Sequence, residues 1–342
     1  MQNYSRFFLV FLVLSAAFLP VYLGALETTT SNGAVAQPRG GFFPRIYFTN
    51  VIEAIRRTED AKPYWVSTEN ELEAEREARA REITDYTSLL LNNDILAYYG
   101  HPRSRIMGIL GRYPIADLDR RLTELAAEYE AAGGRNVIKA FYIIFGTVWP
   151  RGEIGYINAD LLRHWVEYAL ENDILIFIDH QIGRYDPIAS LEKMLPWLQY
   201  PNVHLALDPE WRTSRPMAEI GYVTGEEINR AQQIMEDYLY DNDLPGERFL
   251  VIHQFMSRMI RDRDDVRSNF RRVRVVHCAD GFGSPAVKRS SYTANARAEN
   301  MPVKSFKLFY NFGTPGAGYD HPLMTPSEVY ALTPRPQIIM YQ

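Results

Sequence analysis

The chain carries one cysteine, Cys278, in 342 residues. That excludes an internal disulfide and any metal cage built from several thiolates. Within the apolar run VRVVHCADG, the thiol is expected to be packed in a core. Excess positive charge is missing too. The 37 Lys and Arg against 42 Asp and Glu leave a formal charge of −5, whereas a nucleic-acid partner calls for a basic face. The basic cluster Arg271, Arg272 and Arg274 precedes an apolar run and reads as a solvated rim. No Gly-rich dinucleotide fingerprint follows the first strand-like run, and there is no HExxH zinc motif. No cofactor is expected.

Apolar sequence is concentrated at the N-terminus. Phe7 to Ala25 runs almost without charge after one basic residue, and Leu23-Gly24-Ala25 offers a small-residue cleavage site. A signal peptide over residues 1–25 is the first reading. An uncleaved anchor is the second, because the run approaches the roughly 20 residues that span a bilayer. Either way the remainder is expected to work outside the cytoplasm, touching a membrane only through this segment. Residues 26–93 read as a polar Gly-rich linker followed by a charged helical extension ending in Ile83, Tyr86, Leu89 and Leu90.

From Asp94 to Gln342 a rhythm sets in. Apolar runs begin at Asp94, Val137, Ile174, Val203, Phe249, Val273, Phe306 and Ile338, and segments of helical period separate most of them. One stripe is Leu118, Leu122, Leu125 and Tyr129, closed by Gly133-Gly134. A second is Leu161, Leu162, Trp165, Val166 and Ala169. A third is Ile188, Leu191, Met194, Leu195 and Leu198, and a fourth is Ile228, Ala231, Ile234, Met235 and Tyr238. Strand then helix about eight times predicts an α/β fold, a single (β/α)8 barrel. The connections after the fifth and sixth strands show the weakest helical pattern.

Barrel enzymes place their sites at the C-terminal ends of the strands. Here those ends collect Tyr99 and His101, Trp149, Asp179, His180 and Gln181, Asp208, Glu210 and Trp211, His253 and Gln254, His277 and Asp280, and Lys307 with Tyr310. His164 and His204 read as structural. Aromatic faces beside carboxylates and amides suit a sugar. Tyr99, His101, Trp149, Asp179, Gln181, Trp211, His253, Gln254, Asp280 and Tyr310 are the expected substrate contacts, and Lys307 is expected to pair with a rim carboxylate.

VHLALDPEWR supplies the sharpest motif. Asp208 and Glu210 are two apart, so an extended chain would point both carboxyls one way, and mutual repulsion would keep one protonated near neutrality. The plainer alternative is an N-cap Asp with Glu210 paired to Arg212. An Asp-x-Glu closing the fourth barrel strand resembles the signature of chitinase-type and Chalaropsis-type muramidase glycosidases. The resemblance implies Glu210 as the acid that protonates the glycosidic oxygen and Asp208 as its assistant at the substrate acetamido group. The chain departs from both patterns. Val203 and Ala206 stand where chitinases carry further acids, and Tyr98-Tyr99-Gly100-His101 stands where muramidases have an Asp. Together YYGHP, LDPEW and VIHQF also resemble a group of secreted bacterial barrels, a likeness that brings no activity with it. The expectation is a glycoside hydrolase-like barrel acting on a polysaccharide. Its alternatives are a metal-dependent hydrolase using His101, Asp179 and His253, and a non-catalytic saccharide-binding envelope protein.

Overall fold

Eight parallel strands close on themselves in the computed structural model, which describes residues 88–133 and 135–342. The apolar N-terminal run and most of the charged extension lie outside the described residues. The barrel strands are β1 (Asn93–Gly100), β2 (Asn136–Val148), β4 (Leu175–His180), β5 (Val203–Leu207), β7 (Arg248–Gln254), β9 (Val273–Ala279), β10 (Val303–Leu308) and β11 (Ile338–Tyr341). Each pairs with the next, and β11 pairs with β1 to close the ring. A short β3 (Ile154–Tyr156) folds back antiparallel on the end of β2, and β6 (Val223–Thr224) pairs with β8 (Ile260–Arg261) outside the barrel.

The strands are apolar because both faces are buried. Outward residues such as Leu96, Phe141, Ile176, Leu205 and Leu250 pack under the helices. Those helices are α1 (Ile115–Gly133), α2 (Ala159–Glu171), α3 (Pro187–Glu192), α4 (Gly225–Asp241), α5 (Pro285–Asn295) and α6 (Pro326–Tyr330). Their starts are chemically marked. Asn158, Asp186 and Ser284 cap α2, α3 and α5, and Thr224 with Glu227 forms a capping box on α4. Inward residues fill the ring, where Phe177, His204 and Phe249 stack with centroids 4.8–6.2 Å apart.

Three expectations are corrected. The third stripe is not one helix: α3 stops at Glu192, and Leu195–Gln199 continues as a 3-10 turn with Pro196 inside it. The fifth strand, β7, is followed by two 3-10 turns and β8 in place of a helix, although α5 does follow the sixth. Of the basic cluster only Arg271 is exposed, so the solvated-rim expectation fails for the other two. Arg272 is buried and donates to the carbonyl of Gly246 (3.1 Å), while Arg274 pairs with buried Glu247 (3.1 Å).

Candidate active site

The C-terminal third of the barrel interior is a layer of polar side chains. Tyr99 from β1, Tyr142 from β2, Asp179 from β4, His253 from β7 and Lys307 from β10 are at most 4% exposed, as is Asp208 at the end of β5; Asp280 after β9 is 7% exposed. Side chains alternate along a strand, so each lies above the interior residue two positions before it, as Tyr142 above Ala140 and Lys307 above Ser305.

The layer is tightly connected. The Tyr99 hydroxyl donates to Asp179 Oδ2 (2.9 Å). His253 Nδ1 lies 2.8 Å from Asp280 Oδ2, and its Nε2 lies 2.8 Å from the Tyr142 hydroxyl. Lys307 Nζ donates to Asp280 Oδ2 (3.1 Å) and sits 3.9 Å over the Tyr99 ring. Burial opposes a charge on His253, but Cys278, Asp179 and the Asp280 hydrogen bond outweigh it and hold the imidazole well above its ordinary pKa. Burial likewise opposes the Lys307 ammonium, and Asp280 and Asp208 more than compensate. Asp280 answers with a carboxyl held well below the usual range by Lys307 and His253, in spite of its own burial. Both His253 nitrogens are therefore engaged within the layer, by Asp280 and Tyr142, and Lys307 is held by Asp280.

Asp208 and Glu210 behave in the opposite sense. Burial pushes Asp208 up to about 7, with Asp179 and Asp280 adding to it against the pull of His253. Glu210 rises to about 8, first by burial and then by the charge of Asp208. Burial also raises Asp179. Four carboxyls therefore share this compartment with two cations.

The chain does not stay extended past Asp208. Pro209–Trp211 is a 3-10 turn, and Asp208 caps it by accepting the Glu210 N–H on Oδ1 (3.2 Å). The turn brings Glu210 to the mouth, half-buried, so the alternation argument gives way to a turn argument. Arg212 does not pair with Glu210. It binds Glu227 Oε2 (2.7 Å) and the Tyr222 carbonyl (3.0 Å). Among the described residues, no hydrogen bond or ion pair engages the Glu210 carboxyl.

Other expected site residues lie elsewhere. Gln254 faces outward, donating to the Ser257 carbonyl and approaching His277 Nε2 (2.6 Å). Gln181 accepts the Val148 N–H (2.8 Å), and His180 Nδ1 accepts the Ile182 N–H (2.9 Å). His101 Nδ1 accepts the Arg103 N–H (3.1 Å) within its own loop. No group of three or more His, Cys, Asp or Glu side chains suited to a metal occurs among the described residues. Trp149 is exposed on the β2–β3 turn, Trp211 is half-buried beside Glu210, and Tyr310 stacks on Tyr341 (5.2 Å). Tyr142 was not foreseen. It sits in mid-strand, and only the two-residue alternation with Ala140 and Ile144 marks it as facing inward.

The likeness carried by Asp208 and Glu210 stands on the motif and the barrel alone. No model of a known protein family matches the chain, and no curated protein matches it.

Proposed function

We propose that the protein is a glycoside hydrolase-like barrel in which Glu210 donates a proton to a glycosidic oxygen. The supporting observation is the Glu210 carboxyl itself: unpartnered, half-buried at the mouth, and pushed up to about 8 beside buried Asp208, which caps the turn. A proton donor for neutral pH needs a pKa in this region. Asp208 holds the turn that presents Glu210, raises its pKa, and is the group available to a substrate acetamido nitrogen. The Lys307–Asp280–His253 chain fixes the floor of the site and sets its charge.

Exposed aromatics support a polysaccharide as the partner. Trp149, Tyr156 and Tyr185 stand on the loops after the second and third barrel strands, and Phe282 and Tyr319 on those after the sixth and seventh. In a ring of eight, these positions face each other across the mouth, and sugar faces stack on such rings. The apolar segment Phe7–Ala25, with its small-residue site at Leu23-Gly24-Ala25, supports an extracytoplasmic setting for the proposed activity. Incubating the full chain with peptidoglycan, chitin-type and arabinan-type glycans and measuring new reducing ends tests the proposal. Release from at least one glycan is expected; binding without release would make the barrel a saccharide-binding protein.

A further inference from the structure

A partly open cavity of about 40 Å3 lies beside the mouth, between the loop after β1, the loop after β10 and the end of β11. At about 10–15 Å3 per water-sized group it admits a carboxylate but not a pyranose ring. Its walls are fixed from two sides. Gly100 and Gly108 bridge at the base of the β1 loop. On the far wall, buried Asp320 accepts the Phe309 N–H (3.0 Å) and pairs with buried Lys288 (3.0 Å).

Arg112 lines this cavity with Phe312, Thr314 and Tyr319. Its guanidinium lies 3.7 Å over the Phe312 ring, and Nη2 donates to Thr314 Oγ1 (3.3 Å). Its Nε is buried and has no hydrogen-bond partner. No Asp or Glu side chain lines the cavity, and the partners of Arg112 among the described residues are Thr314 and the Phe312 ring. An arginine held flat against a ring, lining a cavity that no carboxylate shares, is arranged for a planar anion.

We propose that this cavity is an acid-recognising subsite that takes the carboxylate of a uronic-acid-type sugar unit. The proposal rests on the glycan reading of the mouth and narrows the substrate to acidic polysaccharides. Phe309 connects the two regions: it lines the cavity, and its ring lies 5.1 Å from Lys307 Nζ in the polar layer. The cavity adjoins the first, seventh and eighth strands, while Glu210 follows the fourth, opposite the eighth. The acidic unit is therefore a different sugar from the one whose linkage Glu210 protonates.

The test uses the full chain and matched probes: oligogalacturonate, alginate and hyaluronate fragments, each beside its carboxyl-reduced counterpart. Calorimetry is expected to show at least one acidic fragment binding about tenfold or more tighter than its reduced form. Arg112→Gln should bring that fragment down to the affinity of the reduced form, and Arg112→Lys should restore part of the difference. The Glu210→Gln variant should retain the preference. Equal binding of the paired probes, a preference that survives Arg112→Gln, or tighter binding of sulfated fragments overturns the subsite. Glu210-dependent cleavage of a neutral glycan with no acid preference removes the subsite and keeps the glycosidase. Absence of both binding and cleavage removes both.

Discussion

Asp208 and Glu210 share one short turn and one physical circumstance: carboxyls in an apolar strand end beside other carboxyls. For Asp208 the folded pKa, about 7, stands above its ordinary 3.8. A raised carboxyl contributes stability that is complete below about 4 and is lost as pH climbs through about 7. Three units correspond to about 4 kcal/mol at about 1.4 kcal/mol per unit. Because Asp179 and Glu210 share the charge, roughly half of that is expected from Asp208 itself. Asp208→Asn keeps the carbonyl oxygen that accepts the Glu210 N–H. It should be about 2 kcal/mol more stable than the parent at pH 8 and indistinguishable from it at pH 4. Chemical denaturation at the two pH values checks this, and parallel curves for parent and variant would contradict it.

Among the elements, the strands were the most legible and the connections the least. A strand buried on both faces is a continuous apolar run, so Val203–Leu207 and Arg248–Gln254 stand out in the sequence. The same property hides which residues face inward. His253 enters the polar layer and its neighbour Gln254 faces out, and a run apolar throughout gives no parity by which to tell them apart. Lys307 was visible as a cation within the run that begins at Phe306, while Tyr142 among Phe141 and Ile143 was not. The α3 region kept its helical spacing through a change to a 3-10 turn because both conformations bring residues three apart onto one side. The Asp-x-Glu motif was read with strand geometry, whereas Pro209 had already turned the chain. Loop construction offers an element-scale prediction. Gly108 has φ +98°, and a Cβ there would meet the Tyr99 carbonyl oxygen at 2.3 Å. Gly108→Ala should cost about 3 kcal/mol, from strained backbone plus the clash. Gly313 has φ +67° with open space around it, so Gly313→Ala should cost only about 1 kcal/mol. Urea midpoints measure both, and equal costs would mean that the Gly100–Gly108 bridge does not hold the loop.

For the molecule as a whole, closure of the ring is what brings seven strand ends into one layer. The seam between β11 and β1 is held by parallel pairing and, at its base, by Asp94. This carboxylate is buried between Arg135 Nε (3.2 Å) and Arg335. Both arginines are about one-third exposed, so solvent screens part of the interaction, and Asp94→Asn should cost about 2 kcal/mol. A single cooperative thermal transition at lower Tm is expected. Loss of cooperativity instead would mean that the seam opens independently of the rest of the barrel.

The central claim is that a protonated Glu210 does the chemistry at this mouth. The most direct measurement is turnover of a cleaved glycan by parent and Glu210→Gln from pH 5 to 9, with Tm recorded on the same samples. Parent activity should fall as pH rises through about 8, where Glu210 loses its proton. The Gln variant should fold normally and lose about a hundredfold or more in rate, the usual scale for removing a general acid. Undiminished turnover by a folded Glu210→Gln variant would contradict the account.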